Sequence, residues 1–190
     1  MKIIVGQIAP SFTTTDIQGN PVRLEDYRGK LLLLVFHRLA ACPFCGLRIY
    51  SLSLRYPTFR EQGLEVVAFI ESSDANILKQ TYAQSAPFPI VADPQQQFYH
   101  LYGTQLSRLG VWWANLTRKA TIAESQRLGF GSGKVDGAPY RMPADFLIGP
   151  DLTVRYTHYG RDSGDSLQFR QIEELIRKFA NKEPLNFAVQ

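Results

Sequence analysis

The chain has 190 residues, 45% of them hydrophobic and 20% charged, an ordinary globular balance that argues against disorder and fibrous repeats. Its longest purely apolar stretch, Leu31 to Phe36, spans six residues, far short of the ~20 that a membrane-crossing helix needs. The net charge of +4 sits between Leu101 and Arg141, where six basic residues face two acidic ones without forming a dense run, so nucleic acid is not an expected partner. The N-terminus lacks the charged-then-apolar pattern of a secretory signal. These bounds predict a soluble single domain over residues 1–190, with no membrane partner and a cytoplasmic location.

Phe12 to Ile17 and Val22 to Leu24 read as short strands around a Gln18-Gly19-Asn20-Pro21 turn. Leu31 to Phe36 suits a strand covered on both faces, the kind found in parallel sheets. Leu47, Tyr50, Leu52 and Leu54 then fall near helical spacing, with a kink or stop expected at Pro57. Leu64 to Ile70 is a second buried strand, and Ser73-Asp74 caps a helix carrying Ile77, Leu78 and Tyr82. Pro87 to Val91 is a short strand, and Asp93-Pro94 opens another helix. Leu106 to Leu128 reads as mostly helical, followed by a loop over Gly129 to Gly133. Asp145 to Ile148 and Thr153 to Tyr159 are joined by a tight Gly149-Pro150-Asp151 turn and must be antiparallel. Leu167 to Phe179 closes the chain as an amphipathic helix with Ile172, Leu175, Ile176 and Phe179 on one face. This alternation predicts an α/β fold, a mixed central sheet with helices on both faces.

There are only two cysteines, Cys42 and Cys45. A secreted disulfide framework would use more of them, spread wider. A structural zinc site wants four ligands, and beyond the two thiols the chain offers only His37, His100 and His158. The two-residue spacing favours redox chemistry. Cys42 follows the central strand where a helix should begin, and Pro43 then takes the first helical position, where its missing N–H costs nothing. Unsatisfied backbone N–H groups and the helix dipole favour a thiolate there. Cys45 lies one turn further, about 5–6 Å away if helical, within reach of a disulfide. The pattern predicts an exposed nucleophile, Cys42, and a less exposed resolving thiol, Cys45, with Arg38 as a candidate to stabilise the anion. The three histidines read as structural.

Several segments in order resemble one family. Gly6-Gln7-Ile8-Ala9-Pro10-Ser11-Phe12, Asp16, Gly19 and Leu24 to Lys30 resemble the opening of the peroxiredoxin-like alkyl hydroperoxide reductase/thiol-specific antioxidant (AhpC/TSA) family. Phe36-His37-Arg38 and Cys42-Pro43-Phe44-Cys45 are similar to its branch with a thioredoxin-like CxxC. Phe88 to Pro94 and Tyr102-Gly103 resemble its middle segment. Met142 to Ile148 resembles the proline-plus-strand that faces the active cysteine in thioredoxin folds. The resemblance implies a thioredoxin-like fold with an N-terminal strand extension and a helical insertion at about 104–140.

It also implies a thiol oxidoreductase without metal or organic cofactor. Cys42 would attack a peroxide or a disulfide, and Cys45 would resolve the product. A thioredoxin- or glutaredoxin-type donor, or a low-molecular-weight thiol, would restore the dithiol. Pro43, Phe44, Met142 and Pro143 are the implied substrate contacts, with the Met142–Pro143 bond expected to be cis. The family's usual threonine three residues before the cysteine is Leu39 here, and its proline seven before is Val35. Where a second arginine is expected stands Pro143, and Arg141 is a candidate stand-in. Peroxide and protein disulfide therefore both stay open as oxidants. Two other readings stand beside the enzyme: a redox-responsive interaction protein whose disulfide switches the 104–140 surface, and a metal-binding module. The insertion itself, with Trp112 and Trp113, reads as a packed helical segment, with a lid or a homodimer contact as alternatives.

Overall fold

Seven consecutive buried residues, Leu31–His37 (β3), form the middle strand of a five-stranded sheet. The computed structural model describes residues 1–180. From β3 the chain runs through α1 (Pro43–Glu61), β4 (Leu64–Ile70), two short helices α2 (Asp74–Ile77) and α3 (Thr81–Gln84), β5 (Ile90–Ala92) and α4 (Gln97–Leu101). Two further helices, α5 (Arg108–Thr117) and α6 (Lys119–Arg127), precede β6 (Ala144–Ile148), β7 (Val154–Tyr159) and α7 (Phe169–Phe179). The sheet order is β5-β4-β3-β6-β7. The first three are parallel to one another, and β6 runs antiparallel to both β3 and β7. The sheet is mixed, as the tight turn before β7 predicts.

Side chains alternate along β3, so each face of the sheet has its own core. Leu31, Leu33 and Val35 pack with Ile49, Leu52 and Phe59 of α1 and Ile172 and Ile176 of α7. Leu32, Leu34 and Phe36 pack on the opposite face with Phe69, Phe98, Tyr99 and Phe146. Phe36 and Phe69 stack with ring centroids 4.6 Å apart. Burial of each such side chain stabilises the fold by about 1.5–3 kcal/mol. The two layers hold the C-terminal end of β3, and with it His37 and Arg38, in one place.

Four elements differ from the sequence reading. The N-terminal ribbon is shorter, β1 (Thr13–Thr15) and β2 (Pro21–Arg23), because Phe12, Ile17 and Leu24 leave it to enter the core. Helix α1 passes through Pro57 rather than stopping; buried Tyr56 and Phe59 hold it on either side, offsetting the lost backbone bond. Ser73 does not cap a continuous helix. Its N–H and hydroxyl both bond Asp136, and two single turns result. The 106–128 segment breaks at Arg118 (φ −107°, ψ 34°), whose guanidinium is held by both Asp162 oxygens at 2.7 and 2.9 Å. Among the described residues no helix is long and apolar enough to cross a membrane.

Candidate active site

Cys42 is the N-cap of α1, with extended backbone (φ −86°, ψ 121°) and Pro43 at the first helical position. The loop that delivers it, residues 38–41, is fixed on both sides. Arg38 O accepts from Glu71 N at 2.9 Å, Ala40 N donates to Ser72 Oγ at 2.9 Å, and Tyr82 Oη donates to Ala40 O at 2.9 Å. Cys45 follows one turn into the helix, and both residues are free thiols. Arg38 addresses both sulfurs. Its backbone N–H donates to Cys45 Sγ at 3.3 Å, and its Nη1 donates to Cys42 Sγ at 3.7 Å. Nη2 is anchored on the Pro139 carbonyl, while Nε is buried without a partner.

This environment separates the two thiols. Burial pushes the Cys42 pKa up, but the Cys45 thiol, the Arg38 charge and the N–H groups of Cys45 and Phe44 together hold it well below the ordinary thiol value, at about 6. The Cys45 pKa is driven well up, first by burial and then by its neighbour Cys42. One sulfur is thus a thiolate near neutral pH and the other a protonated thiol.

The expected exposure of Cys42 is not found. It is 2% exposed and Cys45 is 3%, because the α5–α6 insertion lies over the pair. Ala114 and Ile122 join Leu39, Phe44 and the two cysteines in one apolar cluster, and Ser125 Oγ donates to Pro43 O at 2.7 Å. The insertion is thus a helical segment packed on the domain over the thiol pair. Trp112 and Trp113 are 61% and 53% exposed, both on the outer side.

Other expected site residues fall in different places. Phe44 and Pro143 line a half-open cavity of about 160 Å³ that reaches Cys45 and not Cys42. Met142 is buried and seated under α5, where a methyl group on Gly110 would meet its sulfur at 2.7 Å. No cis peptide occurs among the described residues, so Met142–Pro143 is trans. That is the lower-energy isomer, and here Pro143 O accepts Gly160 N at 2.8 Å. Arg141 does not approach the sulfurs. It is buried in an ion pair with Glu71 at 2.5 Å and bonds Thr104 Oγ1 and Gln96 Oε1 at 3.1 and 2.7 Å.

The cavity also gathers residues that the sequence reading left aside. His37, expected to be structural, lines the cavity with Arg48 and Ser163. Burial, with the Arg48 charge, lowers its pKa to about 3 and keeps it neutral. Arg48 stands three residues after Cys45, one turn along the same helix face. That spacing is the signal that could have found it. No cluster of three or more His, Cys, Asp or Glu side chains suited to a metal is present among the described residues.

A thiol at the N-cap of the helix after a central parallel strand, with a second thiol one turn inside, defines a thioredoxin-like thiol oxidoreductase. The AhpC/TSA family profile matches residues 5–157, and the chain belongs to that family. It is 32% identical over 184 residues to a peroxiredoxin of Thermoplasma volcanium, covering 93% of this chain and 73% of that one. It is 34% identical over 102 residues to the thiol-disulfide oxidoreductase ResA of Geobacillus thermodenitrificans, covering 53% of this chain and 58% of that one. Among solved structures, the Peroxiredoxin 6 of Arenicola marina has a TM-score of 0.68 at 17% identity, over 92% of this chain and 72% of that one. The thiol peroxidase from Chromobacterium violaceum has a TM-score of 0.62 at 17% identity, over 94% and 88%. The likeness to these structures is one of fold. Family and relatives make the protein a thiol-based oxidoreductase of peroxides or disulfides.

Proposed function

We propose that the protein is a thiol peroxidase acting on a small hydroperoxide, with Cys42 as nucleophile and Cys45 as resolving thiol. The observation that carries this reading is the placement of the Cys42 sulfur, 3.7 Å from Arg38 Nη1 and 2% exposed under the insertion. A molecule the size of hydrogen peroxide needs little room to reach such a sulfur. A folded disulfide partner must bring its own backbone to it. The Arg38 guanidinium supports the same reading, since its Nη1 donates to the Cys42 sulfur and its Nε has no partner among the described residues.

The thiolate attacks one peroxide oxygen, the O–O bond breaks, and the leaving oxygen departs as alkoxide or hydroxide and takes up a proton. Cys42 is then a sulfenic acid. Cys45 attacks it, water leaves, and a Cys42–Cys45 disulfide remains. Two thiols from an external donor restore the dithiol and are themselves oxidised to a disulfide. The cytoplasm is the proposed compartment, because a thiol pool is at hand there. The likeness to ResA and the presence of Pro143 beside Cys45 favour a second reading, protein disulfide reduction, which requires the insertion to move aside.

The test mixes reduced protein with hydrogen peroxide and follows thiol loss. A second-order rate far above that of free cysteine is expected, abolished in Cys42→Ser. In Cys45→Ser, a sulfenic acid on Cys42 should accumulate. A wild-type rate no faster than free cysteine overturns the peroxidase reading and leaves disulfide exchange.

A further inference from the structure

We infer that the cavity beside Cys45 binds a low-molecular-weight thiol bearing a carboxylate, which reduces the oxidised protein by attacking the Cys45 sulfur. This rests on the Cys42–Cys45 disulfide proposed above and names the donor class and its point of entry.

Four buried side-chain polar atoms among the described residues lack a hydrogen-bond partner: His37 Nε2, Arg38 Nε, Arg48 Nε and Ser163 Oγ. Three of the four residues line this one cavity, and His37 and Ser163 are each only 2% exposed. Leaving such an atom unpaired costs about 1–3 kcal/mol. That three such residues share one cavity wall points to a ligand with polar groups of its own.

The charge of that ligand follows from Arg48. Its Nη2 donates to Leu167 O at 2.6 Å, and its guanidinium lies over the Phe169 ring, 4.2 Å from the centroid. Neither partner is an anion. Asp145, the acid whose field acts on Arg48, engages its carboxylate with Leu167 N at 2.8 Å. A carboxylate brought into the cavity would lie beside a cation whose two partners, Leu167 O and the Phe169 ring, are not anions, with His37 and Ser163 in the same wall. The cavity, about 160 Å³ and open on one side, has room for several waters. That suits a small thiol acid.

The direction of attack follows from the two sulfurs. A thiolate attacking a disulfide expels the better leaving group, the sulfur of lower pKa. Cys42 is that sulfur, and Cys45 is the one the cavity reaches. The incoming RS⁻ bonds to Cys45 Sγ, the Cys42–Cys45 bond breaks, and its electron pair leaves on Cys42 as thiolate. A second RS⁻ attacks the external sulfur of the mixed disulfide. RSSR departs, and Cys45 takes up a proton.

The experiment starts from protein oxidised with diamide, so that it does not depend on peroxidase activity. Reduction is timed with 3-mercaptopropionate and with 2-mercaptoethanol at equal thiolate concentration. At least a tenfold advantage for the thiol acid is expected, collapsing to within about twofold in Arg48→Gln and shrinking in Ser163→Val. The acid-quenched mixed disulfide should map to Cys45. Equal rates in the wild type, an advantage untouched by both variants, or a mixed disulfide on Cys42 overturns the inference. Failure of diamide to link Cys42 to Cys45 at all overturns the disulfide itself, a result read directly from the peptide mass.

Discussion

Arg38 Nη1 donates to the Cys42 sulfur at 3.7 Å. The guanidinium cannot drift from that position, since Nη2 is tied to the Pro139 carbonyl and the residue's own backbone is bonded to Glu71 and to Cys45 Sγ. A fixed cation beside a buried sulfur is worth more than one in water, because little solvent screens it. Arg38→Gln should therefore raise the Cys42 pKa and slow peroxide reduction at neutral pH. A hydrogen bond to a charged group contributes about 1.5–3 kcal/mol, so the loss should be roughly tenfold or more in second-order rate. Stopped-flow thiol oxidation checks it; an Arg38→Gln variant that keeps the wild-type rate removes the guanidinium from the mechanism.

The second prediction concerns pH. Cys42 has a pKa of about 6, so its thiolate is fully formed above pH 7 and protonates as pH falls. The rate with hydrogen peroxide should be flat above pH 7 and should drop about tenfold per pH unit well below 6. The Cys45 thiol is the leading group that lowers this pKa. Cys45→Ser, with its different donor strength, should move the midpoint, and the thiolate ultraviolet absorbance reads it independently of the reaction. A titration near the free-cysteine value of ~8.5 would contradict the geometry of the site.

Much of this site was legible in the chain because it is local. The uninterrupted apolar run at Leu31, the Pro43 that starts a helix and the spacing of Cys42 and Cys45 fix strand, helix start and thiol pair within fifteen residues. What the chain hid is tertiary. Cys42 is covered by Ala114 and Ile122, about seventy and eighty residues away, and no pattern near Cys42 announces them. Arg141 is paired with Glu71, seventy residues earlier, rather than with the sulfur nearest in motif. Pro57 breaks the local rule for helices, and buried packing on both sides overrides it. His37 looks structural from its place beside a strand, and only the cavity formed with Ser163 and Arg48 gives its ring a different setting.

His37 also makes the acid stability of the fold testable. Burial holds its native pKa at about 3, against ~6.5 in an unfolded chain. Between those values the unfolded state binds one more proton than the native state, so stability falls as pH drops from about 6.5 toward 3. The contribution is up to about 1.4 kcal/mol per pH unit, and it is absent above pH 7. Chemical denaturation from pH 7 to pH 4 should show a shallower loss in His37→Asn than in the wild type, the difference corresponding to one proton. Parallel curves would mean that the imidazole is protonated in the native protein.

Gly131 is where the insertion can be lifted from the thiols. Its φ is +86°, a conformation that favours glycine, and a Cβ there would stand 2.9 Å from Pro43 Cβ and 3.2 Å from Pro43 Cα. Gly129 supplies a control. Its φ is +78°, yet a Cβ at that position meets nothing within 4 Å. Both Gly129→Ala and Gly131→Ala carry the backbone strain, roughly 1 kcal/mol, but only the second pushes the loop off the residue next to Cys42. In a Cys45→Ser background, a bulky maleimide should label Cys42 several-fold faster in Gly131→Ala than in Gly129→Ala. Hydrogen peroxide, which needs far less room, should distinguish the two much less. Equal labelling of both variants would mean that contact with Pro43 does not keep large reagents out, and the preference for a small oxidant would then need another cause.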